Sequence, residues 1–160
     1  MDFKFSAWLL LALLSTSNVI QAAESNIMMI AKVVRSGTTQ SQVVFFNSKN
    51  VTTIERCKEE KRLGLSYGWR EFNHRFNKRT GQNFQVLYQC VDSNIALSKW
   101  SGSNRRKYKN VYLVKIVDES AVVSLTDSYM ACIKKVRSIQ PEESPSLFCG
   151  QSNQEIISRL

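Results

Sequence analysis

A single histidine in 160 residues removes most of the chemistry that a small protein performs with a side-chain base. The sequence also lacks a glycine-rich phosphate loop, a motif pairing two carboxylates, and cysteines at metal-ligand spacing. Its four cysteines (Cys57, Cys90, Cys132, Cys149) lie 33, 42 and 17 residues apart, whereas zinc draws on ligands in close pairs such as C-x-x-C. No metal and no cofactor are therefore expected. A long apolar run is missing too. The stretch from Phe3 to Leu14 is stopped by the polar Ser15 to Asn18, and a membrane-crossing helix needs about 20 apolar residues.

What stands at the N-terminus is a short charged start, "MDFK", then the apolar "FSAWLLLALL", then small residues at Ala22 and Ala23. That pattern predicts a secretory signal peptide over residues 1–22, cut after Ala22 or Ala23. Its loss takes one acid (Asp2) and one base (Lys4), so the net charge of +9 is unchanged. The remaining 23–160 is long enough for a single domain with its own core. The expected destination is exported, periplasmic or extracellular. There an even number of cysteines reads as two disulfides rather than as thiol or metal chemistry.

The mature part reads as two similar halves joined by a basic linker. The first, about 27–95, has strand candidates "IMMIAKVVR" (27–35), "SQVVFFN" (41–47) and "NFQVLYQCV" (83–91), with a helix holding Cys57 before the last. The second, about 110–154, has "VYLVKIV" (111–117), "AVVSL" (121–125), a helix holding Cys132, and "SLFC". Valine, isoleucine and aromatics fill the strands, and Ser, Gly, Asn and Lys separate them. "LYQCVDSN" and "SLFCGQSN" share C-x-x-S-N at matching places, which points to an internal repeat. The expected fold is α+β: an antiparallel or mixed sheet with helices on one face, built from two duplicated strand-strand-helix-strand halves.

Phase within the elements predicts the cysteine pairing. Phe84, Val86, Tyr88 and Cys90 alternate with polar residues along one strand face. Tyr129, Cys132, Ile133 and Val136 form one helical stripe behind a cap at Asp127 or Ser128. Cys57 shares a face with Val51 and Ile54 behind a cap at Ser48 or Asn50. A cysteine beneath a helix reaches one on the strand that it covers, which pairs Cys57 with Cys90 and Cys132 with Cys149. Between Cys57 and Cys90, Gly64 is expected to end the first helix. Trp69, Phe72 and Phe76 then recur at helical spacing in a second one that ends near Gly81.

"GLSYG" (64–68) has the pattern of a serine-nucleophile elbow, which makes a small serine hydrolase using Ser66 the alternative reading. The strand that must precede such a turn is replaced by the charged helical run "ERCKEEKRL". The lone His74 follows by only eight residues, among Arg70, Arg75, Lys78 and Arg79, with Glu71 as the one near acid. Those cations disfavour a further positive charge on the imidazole. No catalytic residue is assigned, and the chain reads as non-enzymatic.

Charge is the remaining signal. From Lys99 to Val117 there are six bases and no acid, most of them in the linker, about 96–109. Lys99, Arg105, Arg106, Lys107 and Lys109 there stand beside Trp100 and Tyr108, and Arg70, Arg75, Lys78 and Arg79 form a second cluster. Aromatics among cations suit an anionic partner with a flat or apolar part. The expected role is a small disulfide-stabilised binding protein that engages another protein or an anionic envelope component, a lipid headgroup or a glycan. Like charges repel at an interface, so an acidic target is favoured. Nucleic acid is a weaker alternative for an exported chain. In a eukaryotic host Asn50-Val51-Thr52 would also be an N-glycosylation acceptor.

Overall fold

The computed structural model describes residues 26–35, 37, 40–64, 84–102, 108–139 and 146–159. The predicted signal peptide, the aromatic helix of 69–81, Ser66 and His74 lie outside them. The described chain is α+β and mostly strand. Eight strands are β1 (Asn26–Arg35), β2 (Ser41–Asn47), β3 (Phe84–Ser93), β4 (Ile95–Leu97), β5 (Asn110–Val117), β6 (Ser120–Thr126), β7 (Ser146–Ser152) and β8 (Ile156–Arg159). Two helices are α1 (Ile54–Leu63) and α2 (Tyr129–Ser138).

Six strands close into a barrel in the order β1-β2-β7-β5-β6-β3, and β3 returns to β1. Closure was not foreseen from the sequence. β1 runs antiparallel between β2 and β3, and β5 runs antiparallel between β6 and β7. These two three-stranded blocks meet at short parallel junctions, Gln42 against Gln151 and Asp92–Ser93 against Ser120–Ala121. The sheet is therefore mixed. Strands β4 and β8 form a separate antiparallel ribbon. Its residues Ile95, Leu97 and Ile156 pack into the same core as the barrel interior. The predicted linker, about 96–109, therefore begins inside β4, and β8 was not anticipated.

Alternation divides the apolar residues into an interior and an outer wall. Met28, Ile30, Val43, Phe45, Val91, Tyr112, Val114, Ile116, Ala121, Val123 and Phe148 fill the interior. Phe45 and Tyr112 meet there edge to face, with ring centroids 5.6 Å apart. The opposite faces carry Ile27, Met29 and Cys90, which α1 covers with Cys57, Val51 and Ile54. They also carry Val111, Leu113 and Cys149, which α2 covers with Tyr129, Cys132, Ile133 and Val136. The stripe expected on the second helix is thus the one that packs.

Both predicted disulfides are present, Cys57–Cys90 and Cys132–Cys149. Each staples a helix to a strand of its own block. The cap of α2 is Ser128, whose Oγ accepts the Ala131 N–H at 3.1 Å. The cap of α1 is neither Ser48 nor Asn50 but Thr53, whose hydroxyl accepts from Arg56 N at 3.1 Å. A helix starting at Ile54 needs its acceptor at 53, so the earlier candidates sit one turn too soon. Gly64 ends α1 in the left-handed region, at φ 59°, as expected.

The repeated Ser-Asn pairs do the same local work at the ends of β3 and β7. Ser93 Oγ accepts the Ile95 N–H and Ser152 Oγ accepts the Gln154 N–H, each at 3.3 Å, and both serines are buried. Each hydroxyl satisfies the backbone donor released where the chain leaves the sheet. The β5–β6 turn then locks one block to the other. Asp118 and Glu119 both adopt positive φ (46° and 66°), the geometry of a tight two-residue hairpin. Glu119 O accepts the Asp92 N–H at 2.8 Å, while its carboxylate meets Lys58 of α1 at 2.5 Å.

Packing is tightest where β7 passes β2. A Cβ built on Gly150 would lie 2.7 Å from Cβ and Cγ1 of the fully buried Val43. Val43 is β-branched and cannot swing away without an off-rotamer χ1. Gly150→Ala is expected to destabilise the protein by about 2 kcal/mol, read as a lower urea midpoint with unchanged slope. Val43→Ala in the same chain should recover part of that loss.

Candidate functional site

Of the basic and aromatic residues singled out from the sequence, four are described: Lys99, Trp100, Tyr108 and Lys109. Arg105, Arg106 and Lys107 lie outside the described residues, as do Arg70, Arg75, Lys78 and Arg79. The structure brings the two ends of the basic segment together. Trp100 Nε1 donates to the Tyr108 hydroxyl at 3.2 Å, which closes the chain between them into a loop. The base of that loop is anchored on the barrel wall. Trp100 packs over the cluster of Ala31, Val33 and Val44 and meets Phe46 edge-on, with centroids 6.4 Å apart. Asn153 Nδ2 donates to Ser101 O at 2.6 Å.

Trp100 is therefore engaged by the protein's own wall, and Tyr108 by Trp100. Burial raises the Tyr108 pKa, and the hydrogen bond from Trp100 only partly opposes it, so the phenol stays neutral. The two lysines project outward. Lys109 Nζ contacts a Glu155 carboxylate oxygen at 3.0 Å, with both side chains largely exposed, and such a pair adds little to stability. Lys99 is exposed and has no ion pair among the described residues.

The loop base depends on one buried amide. Gln154 follows the β7 turn and fills the place beside β2 that β7 has left. Its Oε1 accepts Phe45 N–H at 2.8 Å, and its Nε2 donates to Phe45 O at 2.8 Å and Ser98 O at 2.7 Å. Its own carbonyl accepts from Tyr112 Oη at 2.8 Å and Asn110 Nδ2 at 2.7 Å. Burial pushes the Tyr112 phenol up to about 12, with the nearby Glu155 charge adding to the effect. Ser98 at the start of the loop, β2 and β5 are thus tied to one residue, the first two by its side chain and β5 by its main-chain carbonyl.

A cation that the sequence reading passed over is Lys32. It has the same strand phase as Met28 and Ile30, whose side chains fill the interior. Its Nζ lies 4.4 Å from the centroid of the Phe148 ring. A lysine at an inward position of an otherwise apolar strand was the available signal. Among the described residues no group of three or more His, Cys, Asp or Glu could hold a metal ion.

No family model, curated protein or solved structure matches this chain.

Proposed function

We propose that the protein is a small exported binding module, non-enzymatic, that holds an acidic protein surface or an anionic envelope component against the basic loop between Trp100 and Tyr108. The observation that carries this reading is the closed base of that loop. Trp100 is packed on the wall and bonded to Tyr108, so the segment bearing Arg105, Arg106 and Lys107 starts and finishes at one fixed place, flanked by Lys99 and Lys109. Fixing both ends lowers the entropy lost on binding.

Two disulfides fit an oxidising compartment, which is compatible with the signal-peptide pattern and with a periplasmic or extracellular destination. The matching strand order of the two blocks, with one helix, one disulfide and one Ser-Asn turn in each, supports a duplicated half-domain as the origin of the fold.

The test is retention of the oxidised protein on anionic vesicles and on an immobilised sulfated glycan, with salt as the variable. Binding should weaken steeply as salt rises, because each contact displaces counterions. Reversing Arg105, Arg106 and Lys107 to Glu should abolish retention while leaving the melting curve unchanged. Equal retention of wild type and the reversed variant would remove the loop from the interaction.

A further inference from the structure

One end of the barrel is closed by its own ribbon, and at the other, among the described residues, side chains of inward phase reach solvent. The β4–β8 ribbon sits with the start of β1, where Asn26 Nδ2 donates to Ile95 O at 2.7 Å and Asn26 N–H donates to Asp92 Oδ1 at 3.1 Å. Its apolar residues complete the core there. Six residues further along β1, roughly 20 Å away at strand rise, the inward positions change character. Lys32 pairs with Val43 on one side and Leu87 on the other. Two residues beyond Leu87 in the same phase is Gln89, and across the interior Ser146 Oγ donates to Gln89 Oε1 at 3.4 Å. Leu87 and Gln89 share the phase of the buried Val91, yet Leu87 is 45% exposed and Gln89 is exposed as well. Inward-facing side chains that reach solvent define a mouth. Its floor is Phe148, buried beneath the Lys32 ammonium.

Lys32 is half-buried and has no carboxylate partner among the described residues. The Phe148 ring face compensates its charge in part. Burial lowers its pKa. Partial burial disfavours the charged form, so a cation in this position costs some stability. The sign follows: with the folded pKa depressed below 10.5, the cost is present at neutral pH and is relieved as pH rises past the folded value. An apolar residue of similar length at 32 would avoid that cost.

We propose that the surface formed by Lys32, Leu87, Gln89, Ser146 and Phe148 is a binding site for a small amphiphilic carboxylate, with Lys32 as its charge partner. Lys32 neutralises one negative charge, the Gln89 amide N–H, with its oxygen held by Ser146, supplies a neutral donor at the rim, and Leu87 with the edge of Phe148 receives a short apolar chain. The two proposals rest on different residues, and neither depends on the other.

The test is isothermal titration of the disulfide-bonded full chain with octanoate, octylammonium and octanol. Octanoate should bind, octanol should bind more weakly, and octylammonium should not compete. Lys32→Met should melt higher than wild type and weaken octanoate by roughly tenfold or more, the range for a lost charge-assisted contact. Lys32→Arg should keep binding, and Lys134→Ala, at an exposed position of α2, should not change it. Leu87→Glu places a carboxylate beside Lys32 and should block octanoate, which gives a second readout if the Met variant folds poorly. Unchanged octanoate affinity in both Lys32→Met and Leu87→Glu, equal binding of octylammonium, or no octanoate binding by wild type would overturn the proposal.

Discussion

Replacing all four cysteines with alanine is expected to leave the protein unfolded at physiological temperature. Each disulfide shortens the loops available to the unfolded chain, by linking residues 33 and 17 apart. Loop-closure entropy at those lengths is worth about 3–4 kcal/mol for each bond, so about 6–7 kcal/mol for both. Domains of this size are stable by only about 5–15 kcal/mol in total. Removing one bond at a time should be survivable, with the Cys57–Cys90 loss slightly the larger because its loop is longer. Thermal melts of the two single-bridge variants and the bridge-free variant measure this directly. A bridge-free chain with an unchanged melting temperature would show that packing of α1 and α2 alone holds the fold.

Position 154 should be the most sensitive outside the cysteines, and Gln154→Leu is its simplest test. The side chain is 1% exposed and keeps the volume of the glutamine almost filled, so a cavity is not the issue. What is lost is the pairing of three backbone groups, Phe45 N–H, Phe45 C=O and Ser98 C=O. Each buried orphan costs about 1–3 kcal/mol, so a loss of about 4 kcal/mol is expected. Gln154→Glu separates hydrogen bonding from shape. Glutamate still accepts from Phe45 N–H but cannot donate to the two carbonyls, and it brings a buried charge. It should therefore be worse than leucine at neutral pH and recover part of its stability in acid, as protonation restores a donor. Chemical denaturation of both variants across pH reads the difference.

The six barrel strands, helices α1 and α2 and the disulfide pairing were legible because their signals are local, whereas β4 and β8 were not. Val, Ile and aromatic alternation marks each strand, and the phase of Cys57, Cys90, Cys132 and Cys149 against neighbouring apolar residues fixes which face each occupies. Closure was not legible, because the parallel junctions involve only Gln42 with Gln151 and Asp92–Ser93 with Ser120–Ala121. Those residues are polar or small and carry no periodic signal. Inner and outer faces of a barrel are both apolar where helices cover the outside. The strand of Cys90 therefore shows its more regular apolar face, Val86, Tyr88 and Cys90, on the outer wall, while Leu87 and Gln89 face in. The same ambiguity hid Lys32, an inward lysine whose neighbours Ala31 and Val33 are the more deeply covered. Of the basic loop, composition revealed the cations, while the role of Trp100 and Tyr108 in fastening its base required the fold.

The two parallel junctions also set the order of events during synthesis. Gln42 cannot meet Gln151, nor can Phe45 find its amide, until more than a hundred further residues have left the ribosome. At ordinary elongation rates that interval is on the order of ten seconds. Throughout it the first block has an unfilled edge and cannot complete its ring.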